Sequence, residues 1–90
     1  MATFMVIERF KCGSLEQVGQ RFLKLGRLLP ADVTVVASWM AASGETCYQL
    51  MTAPSVNALM SWTCAWHDLV DFEITPVVTS DAFWASRASS

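Results

Sequence analysis

Four polar or amphipathic residues fall at positions of this 90-residue chain where the flanking residues are mostly apolar: Glu8, Trp39, Gln49 and Glu73. A carboxylate in such surroundings loses solvation, which raises its pKa toward the range useful for proton transfer. Two carboxylates, an amide and an indole N–H could together orient a small polar-aromatic molecule. We therefore predict these four residues as the lining of a ligand-binding site. The simpler alternative is that both carboxylates pair with Arg or Lys at the rim of a sheet while Trp39 only packs.

Other residue types capable of chemistry form no comparable group. Cys64 and His67 are three residues apart on a predicted helix and could meet as two metal ligands, but no second pair with metal-ligand spacing occurs. We therefore predict no metal site. Trp62 and Trp66, four apart, are more typical of a core than of a stacking platform. The sequence contains no Gly-rich phosphate loop and no hydrolase or zinc-protease motif, so no cofactor is expected, and whether the chain is an enzyme stays open.

The elements that position these residues follow from the period of the apolar residues. Alternation with period two is typical of strands, and apolar spacing of three and four is typical of helices. The predicted strands are 3–10, 33–40, 46–51 and 72–78, and the predicted helices are 15–29 and 56–70. This βαββαβ order predicts an α+β, ferredoxin-like fold, with a four-stranded antiparallel sheet in the order 4-1-3-2 and two helices on one face. Pro76 fits the fourth strand because that strand lies at an edge.

The predicted domain organisation is one ferredoxin-like domain over residues 1–80. Residues 81–90 are predicted to form a short C-terminal turn, which carries Phe83 and Trp84, and a disordered tail. Within the first helix, Gly19 and Gly26 each cost about 1 kcal/mol relative to Ala, so we expect a neighbouring segment to approach closely there. Ser14 is the predicted N-cap of that helix.

Strand alternation divides the strand residues into two sets, one for each face of the sheet. We assign the set with more aliphatic bulk to the helices: Met5, Ile7, Arg9, Val36, Ser38, Met40, Tyr48, Leu50, Phe72, Ile74, Pro76 and Val78. The other set is expected on the face without helices: Phe4, Val6, Glu8, Phe10, Val35, Ala37, Trp39, Cys47, Gln49, Met51, Glu73, Thr75 and Val77. That second set is too apolar to meet water. We therefore predict a homodimer that packs these faces together as a dimeric α+β barrel, with the four site residues in its interior.

Composition supports a shared interface and argues against several classes of partner. Hydrophobic residues make up 53% and charged residues 16% of the chain, against typical values of about 45–50% and about 25%. The formal net charge is −2 and no basic stripe is present, so nucleic-acid binding is not expected. No long apolar run or signal-peptide pattern occurs, so no membrane contact is expected. Three cysteines without a C-x-x-C pair suit a reducing compartment, and we predict a cytoplasmic protein.

A family resemblance is carried by several groups of residues: Phe4–Phe10, Ser38-Trp39, Cys47–Met51, Trp66 with Asp68-Leu69, and Asp71–Glu73 with Pro76-Val77. These groups stand in the family's own order and spacing. They span about residues 3–79, and the chain resembles in them a family of short bacterial proteins of unknown function. The resemblance implies a plan similar to the dimeric α+β barrel superfamily. That superfamily includes small monooxygenases, isomerases, haem-degrading enzymes and ligand-binding or stress-induced proteins. The resemblance brings no catalytic residues with it, and the lack of a histidine on a strand argues against haem handling.

Two functions remain open at this point. The first is a small-molecule binding protein or minor enzyme that uses the barrel interior, which predicts a cavity of about a few hundred Å³ between the two sheets. The second is a protein-interaction or regulatory module without a ligand pocket, for which Phe83 and Trp84 are the candidate contact residues.

Overall fold

The computed structural model describes residues 1–88 and shows an α+β fold built on a four-stranded antiparallel sheet. The strands are β1 (Ala2–Phe10), β2 (Thr34–Met40), β3 (Thr46–Ala53) and β4 (Val70–Val77), and the helices are α1 (Leu15–Leu25), α2 (Val56–Thr63) and α3 (Ser80–Ala88). The strand order is β2-β3-β1-β4, which is the predicted order counted from the other edge. The ferredoxin-like plan is confirmed, and Pro76 lies on the edge strand β4.

Both helices of the predicted pattern end earlier than their apolar spacing suggests. After α1, Gly26 takes a φ of 71°, and its N–H donates to the Phe22 carbonyl oxygen at 2.8 Å. Leu28 also has a left-handed φ of 61°, so the chain has left the helix well before Pro30. After α2, residues 64–69 continue as turns whose N–H groups reach back three residues, from Ala65 to Trp62 for example. Apolar spacing persists through these turns, which is why the sequence predicted longer helices.

The face of the sheet that α1 and α2 cover is the opposite of the predicted one in β1 and β3. Val6 and Met51 are completely buried, whereas the sequence analysis placed both on the face without helices. The buried core consists of Phe4, Val6, Val33, Met51, Ala53, Leu59, Trp62, Trp66, Leu69 and Val70. Both faces of these strands carry apolar side chains, so aliphatic bulk did not distinguish them. The assignment was right in β4, where Phe72 and Ile74 pack against the core.

A β-bulge explains why β2 agrees with the prediction only in part. The register shifts between Val35 and Ala37, so Val35 packs against the core although alternation placed it on the other side. Beyond the bulge, Ser38 and Met40 pair with Gln49 and Cys47 on the helix-covered face. An inserted residue reverses alternation locally, and nothing in the sequence of β2 indicates where it lies.

The opposite face of the sheet, which we call the bare face, is not covered by α1 or α2 and carries both apolar and polar side chains. Its residues are Thr3, Met5, Ile7, Arg9, Thr34, Ala37, Trp39, Thr46, Tyr48, Leu50, Thr52, Asp71, Glu73, Thr75 and Val77. Trp39 is 57% exposed and lies opposite Tyr48 in the ladder. The identity of its residues in β1 and β3 differs from the prediction, and the face is less apolar than predicted. Its apolar residues are centred on Met5, Ile7 and Leu50 of the two inner strands, whereas β4 contributes mainly polar side chains.

The C-terminal segment forms a helix where a turn and a disordered tail were predicted. The Thr79 hydroxyl oxygen accepts a hydrogen bond from the Ala82 N–H at 3.0 Å, which starts α3. The helix continues through Ala88, and residues 89 and 90 of the predicted tail lie outside the described residues. Every residue of α3 is exposed, and the Phe83 and Trp84 rings meet edge to face with centroids 5.1 Å apart. None of the helices in residues 1–88 has both the length and the apolarity that crossing a membrane requires.

Candidate functional site

A cavity of about 270 Å³ opens between α1 and the helix-covered face of the sheet. Strand residues form its floor, one side of α1 forms its roof, and Arg27 and two tryptophans form its wall. The lining residues are Glu8, Phe10, Leu15, Val18, Gly19, Phe22, Arg27, Ser38, Met40, Cys47, Gln49, Trp62 and Trp66. A mostly apolar lining with a few polar groups is typical of small-molecule sites.

The cavity exists because α1 packs only part of its apolar stripe against the core, where Val18 makes the contact. No residue of α1 is buried, although the helix is strongly amphipathic in sequence. Leu15 and Phe22 line the cavity and are 49% and 41% exposed. A Cβ atom added at Gly19 or Gly26 would meet nothing within 4 Å, so the close approach that we expected at these glycines is wrong. The open space that Gly19 borders is the cavity itself.

Polar contacts to the turns after α2 hold α1 in place above the cavity. The Arg21 guanidinium donates two hydrogen bonds of 2.8 Å to the Asp68 carboxylate and one of 2.9 Å to the Ala65 carbonyl oxygen. Those bonds lower the pKa of Asp68 to about 2. At the start of the helix, the Ser14 hydroxyl makes no capping bond and instead donates to the Leu69 carbonyl oxygen at 2.9 Å. The helix is therefore tied to residues 64–69 rather than pressed onto the sheet.

Two tryptophans fix the backbone at one wall of the cavity. The indole N–H groups of Trp62 and Trp66 both donate to the Arg27 carbonyl oxygen, each at 3.0 Å. Both rings are buried, which confirms their predicted core position. The Arg27 guanidinium lies over the Phe22 ring, 5.3 Å from its centroid. A single carbonyl that accepts two buried N–H groups holds Arg27 in a defined place.

A buried polar pair, Glu8 and Gln49, lies on the floor of the cavity. The Gln49 Nε2 donates a hydrogen bond to the Glu8 carboxylate, and both side chains are more than nine-tenths buried. Desolvation raises the pKa of Glu8 to about 7, against the opposing positive charge of Arg27. The Gln49 Oε1 is buried and has no hydrogen-bond partner among residues 1–88. An unpaired buried acceptor costs about 1–3 kcal/mol, and a ligand regains that energy only if the Gln49 amide turns its oxygen toward the cavity, because this atom is closed to solvent in the structure.

Cys47 and Ser38 complete the polar part of the floor. The Cys47 Sγ lies 3.6 Å from the Ser38 Oγ, and Cys47 is opposite Glu8 in the β1–β3 ladder. Burial raises the pKa of the Cys47 thiol. A thiol that resists ionisation is a poor nucleophile, so this cysteine contributes shape and weak hydrogen bonding.

The structure brings two of the four predicted site residues together and separates the other two. Glu8 and Gln49 are hydrogen-bonded under the helices, whereas Trp39 and Glu73 lie on the bare face. Glu73 forms an ion pair with Arg9 at 2.9 Å, which is what the simpler alternative expected of it. The four residues therefore do not line one site. That any of them binds a ligand stays a prediction.

Sequence reasoning missed Arg27 and the cavity-lining side of α1. Glu8 and Gln49 could be identified from sequence because each is a polar residue with apolar neighbours on a predicted strand, and polar residues are unusual in a core. Arg27 lies in a connecting segment, and nothing local to its sequence shows that its carbonyl meets two tryptophans. Elsewhere, His67 and Cys64 are exposed, and residues 1–88 contain no group of three or more His, Cys, Asp or Glu side chains placed to hold a metal ion.

Comparison with known proteins gives one family and no closer relative. No curated protein and no solved structure matches the chain. A family model described as "Domain of unknown function (DUF3303)" matches residues 2–89. Since that match covers nearly the whole sequence, the chain belongs to the DUF3303 family of domains of unknown function.

Proposed function

We propose that this domain binds a small, largely apolar molecule with a hydrogen-bond donor in the cavity between α1 and the sheet. The observation that carries the proposal is the Glu8–Gln49 pair on an otherwise apolar floor, with the Gln49 Oε1 unpaired. The ionised Glu8 carboxylate and the Gln49 Oε1 both accept hydrogen bonds, so the matching ligand group is a hydroxyl or an amine.

The dimensions of the cavity limit the size of this ligand. Its volume of about 270 Å³ lies just below the range of about 300–1,000 Å³ that is usual for drug-sized molecules. Phe10, Phe22, Trp62 and Trp66 supply aromatic surface against which a ring can pack. A molecule of one or two rings with a hydroxyl or amino group fits this description.

Glu8 supports a second candidate function at the same site, which is proton transfer. General acids and bases work best when their pKa lies near the working pH, and burial raises the pKa of Glu8 to about 7. A ligand donor held against Glu8 could lose its proton to the carboxylate. We place binding first because the structure supplies acceptors on the floor, whereas a reaction would also need a substrate whose reacting bond is held against Glu8.

We also propose that the protein is a homodimer through the bare face. The chain exposes 5929 Å², whereas a compact monomer of 9.9 kDa exposes about 5,200 Å². Part of this excess of about 700 Å² belongs to α3, in which no residue is buried, and the rest is surface that an interface of the standard size, about 800 Å² per partner, could cover. Trp39 and Tyr48, which are 57% and 40% exposed, supply aromatic side chains of the kind that such interfaces favour.

An interaction module without a ligand remains the alternative, and α3 is the observation that favours it. Trp84 is 65% exposed and Phe83 is 40% exposed, on a helix in which no residue is buried. If contact with another protein were the function, the cavity would have no occupant. Titration with small-molecule probes separates the two functions, because an interaction module predicts no ligand binding.

The binding proposal is tested with β-naphthol and its methyl ether, which share one ring system but differ in the O–H donor. In a calorimetric titration of the full chain, we expect β-naphthol to bind about tenfold more tightly than the ether, which corresponds to about one hydrogen bond. Gln49→Met keeps the volume but removes the Oε1 acceptor, so it should reduce that preference, with the Glu8 carboxylate as the acceptor that remains. Glu73→Gln, which changes a carboxylate on the bare face, should leave it intact. Absence of binding by both probes, or equal binding of both to the wild type, contradicts the proposal.

A further inference from the structure

Arg27 is placed beside the cavity by contacts that do not involve its charge. Its carbonyl oxygen accepts the Trp62 and Trp66 N–H groups, and its neighbours Gly26 and Leu28 both take left-handed φ angles. Leu28 has a Cβ atom, so its φ of 61° costs about 1–2 kcal/mol. The chain holds the Arg27 backbone in this position despite that cost.

The Arg27 guanidinium has no counter-ion in the described part of the chain. Arg9 and Arg21 form ion pairs with Glu73 and Asp68, whereas no carboxylate of residues 1–88 lies within 4.0 Å of the Arg27 nitrogens. The Arg27 side chain is half-buried, lines the cavity and lies over the Phe22 ring. Its positive charge acts on the floor, where it opposes the rise in the pKa of Glu8 and of Cys47.

We propose that Arg27 selects ligands that carry an anionic group, so that the preferred class is a small hydroxylated aromatic acid. The carboxylate of the ligand pairs with the guanidinium, the ring packs among Phe22, Trp62 and Trp66, and the hydroxyl donates to the Gln49 Oε1. A guanidinium presents two parallel N–H donors that match a carboxylate, and the pair is strongest where water is partly excluded. This inference rests on the proposed function, since it names the ligand class of the same cavity.

The test compares β-naphthol with its carboxylate derivative 6-hydroxy-2-naphthoate, called hydroxynaphthoate below, on the full chain by calorimetric titration at about pH 8. We expect the wild type to bind hydroxynaphthoate about tenfold more tightly than β-naphthol. Arg27→Gln should remove that tenfold advantage and change β-naphthol affinity by less than about twofold. The substitution keeps the Arg27 carbonyl, so the two tryptophan hydrogen bonds remain, and an unchanged tryptophan emission spectrum verifies this.

Lys24→Gln is the matched control, because it removes one positive charge from the exposed last turn of α1, outside the cavity lining. It should leave the preference for hydroxynaphthoate intact, and Arg27→Lys should retain part of it. If β-naphthol binds but the wild type shows no preference for the acid, the inference is wrong while the proposed function stands. If Lys24→Gln weakens acid binding as much as Arg27→Gln does, a diffuse field explains the selectivity and the inference is again wrong. If neither probe binds, the proposed function itself fails.

Discussion

At the scale of single residues, the fold keeps Glu8 in an environment that opposes its charge. Burial raises the pKa of Glu8 from 4.5 to about 7, so between these pH values the folded chain holds a proton that the unfolded chain has released. The contribution of Glu8 to the free energy of unfolding therefore falls as the pH rises from about 4.5 to about 7, by roughly 3 kcal/mol in total. Above that range the contribution is constant. A domain of this size has little stability to spare, and such costs concentrate at functional sites.

Glu8→Gln should remove this dependence on pH. At about pH 5 the variant and the wild type should have free energies of unfolding within about 1 kcal/mol, because both side chains are neutral in the folded state. At about pH 8 the variant should be more stable by roughly 2–3 kcal/mol, since only the wild type buries a charge. Urea unfolding at the two pH values measures the difference. Glu73→Gln, on the bare face, should keep the wild-type slope, and parallel pH profiles for Glu8→Gln and the wild type would show that Glu8 does not titrate in this range.

At the scale of elements, the two glycines of the first helical segment serve different ends. Gly26 has a φ of 71° and a ψ of −159°, a combination that is nearly restricted to glycine, so Gly26→Ala should lower the free energy of unfolding by about 1–3 kcal/mol. Gly19 lies inside α1 with open space beside it, so Gly19→Ala should raise the free energy of unfolding by about 0.5–1 kcal/mol. The same chemical change is thus expected to have opposite signs, and thermal unfolding of both variants measures them. Destabilisation by Gly19→Ala would mean that α1 packs more closely on the sheet than the structure shows.

Element order was predictable from sequence, but the side of the sheet was not. Apolar period gave the βαββαβ order, because each element's period reflects its own geometry. The edge position of Pro76 followed from its missing N–H together with the strand order of the ferredoxin-like plan. Which face the helices cover depends on packing between distant segments, and residues such as Val6 and Ile7 are equally apolar. In β2, the bulge after Val35 reverses the alternation of side chains, so the sequence could not show which residues face the helices. Glu8 and Gln49 were identifiable as unusual core residues, whereas the site around them required knowing which face α1 covers.

At the scale of the whole molecule, the sheet separates two surfaces that the sequence analysis had combined into one. The cavity lies on the helix-covered side and is lined within a single protomer. The bare face lies on the other side and carries Trp39 and Tyr48. If both proposals hold, assembly and ligand binding use opposite faces of the same four strands. A change on the bare face should then alter the number of subunits without altering the cavity.

Trp39→Glu tests that separation, because it places a charge on the proposed interface at the position of its most exposed aromatic side chain. At about 10 μM, we expect the wild type to sediment as a dimer and Trp39→Glu as a monomer, since an unpaired charge in a buried interface is costly. Leu23→Glu is the matched control, as it changes an apolar residue that is 85% exposed on α1, and should remain dimeric. A wild type that is already monomeric would show the dimer proposal to be wrong.

The monomeric variant should still bind β-naphthol within about twofold of the wild-type affinity. Loss of binding together with the dimer would instead locate the ligand between the two sheets, in the barrel interior, because only a site built from both bare faces disappears when they separate.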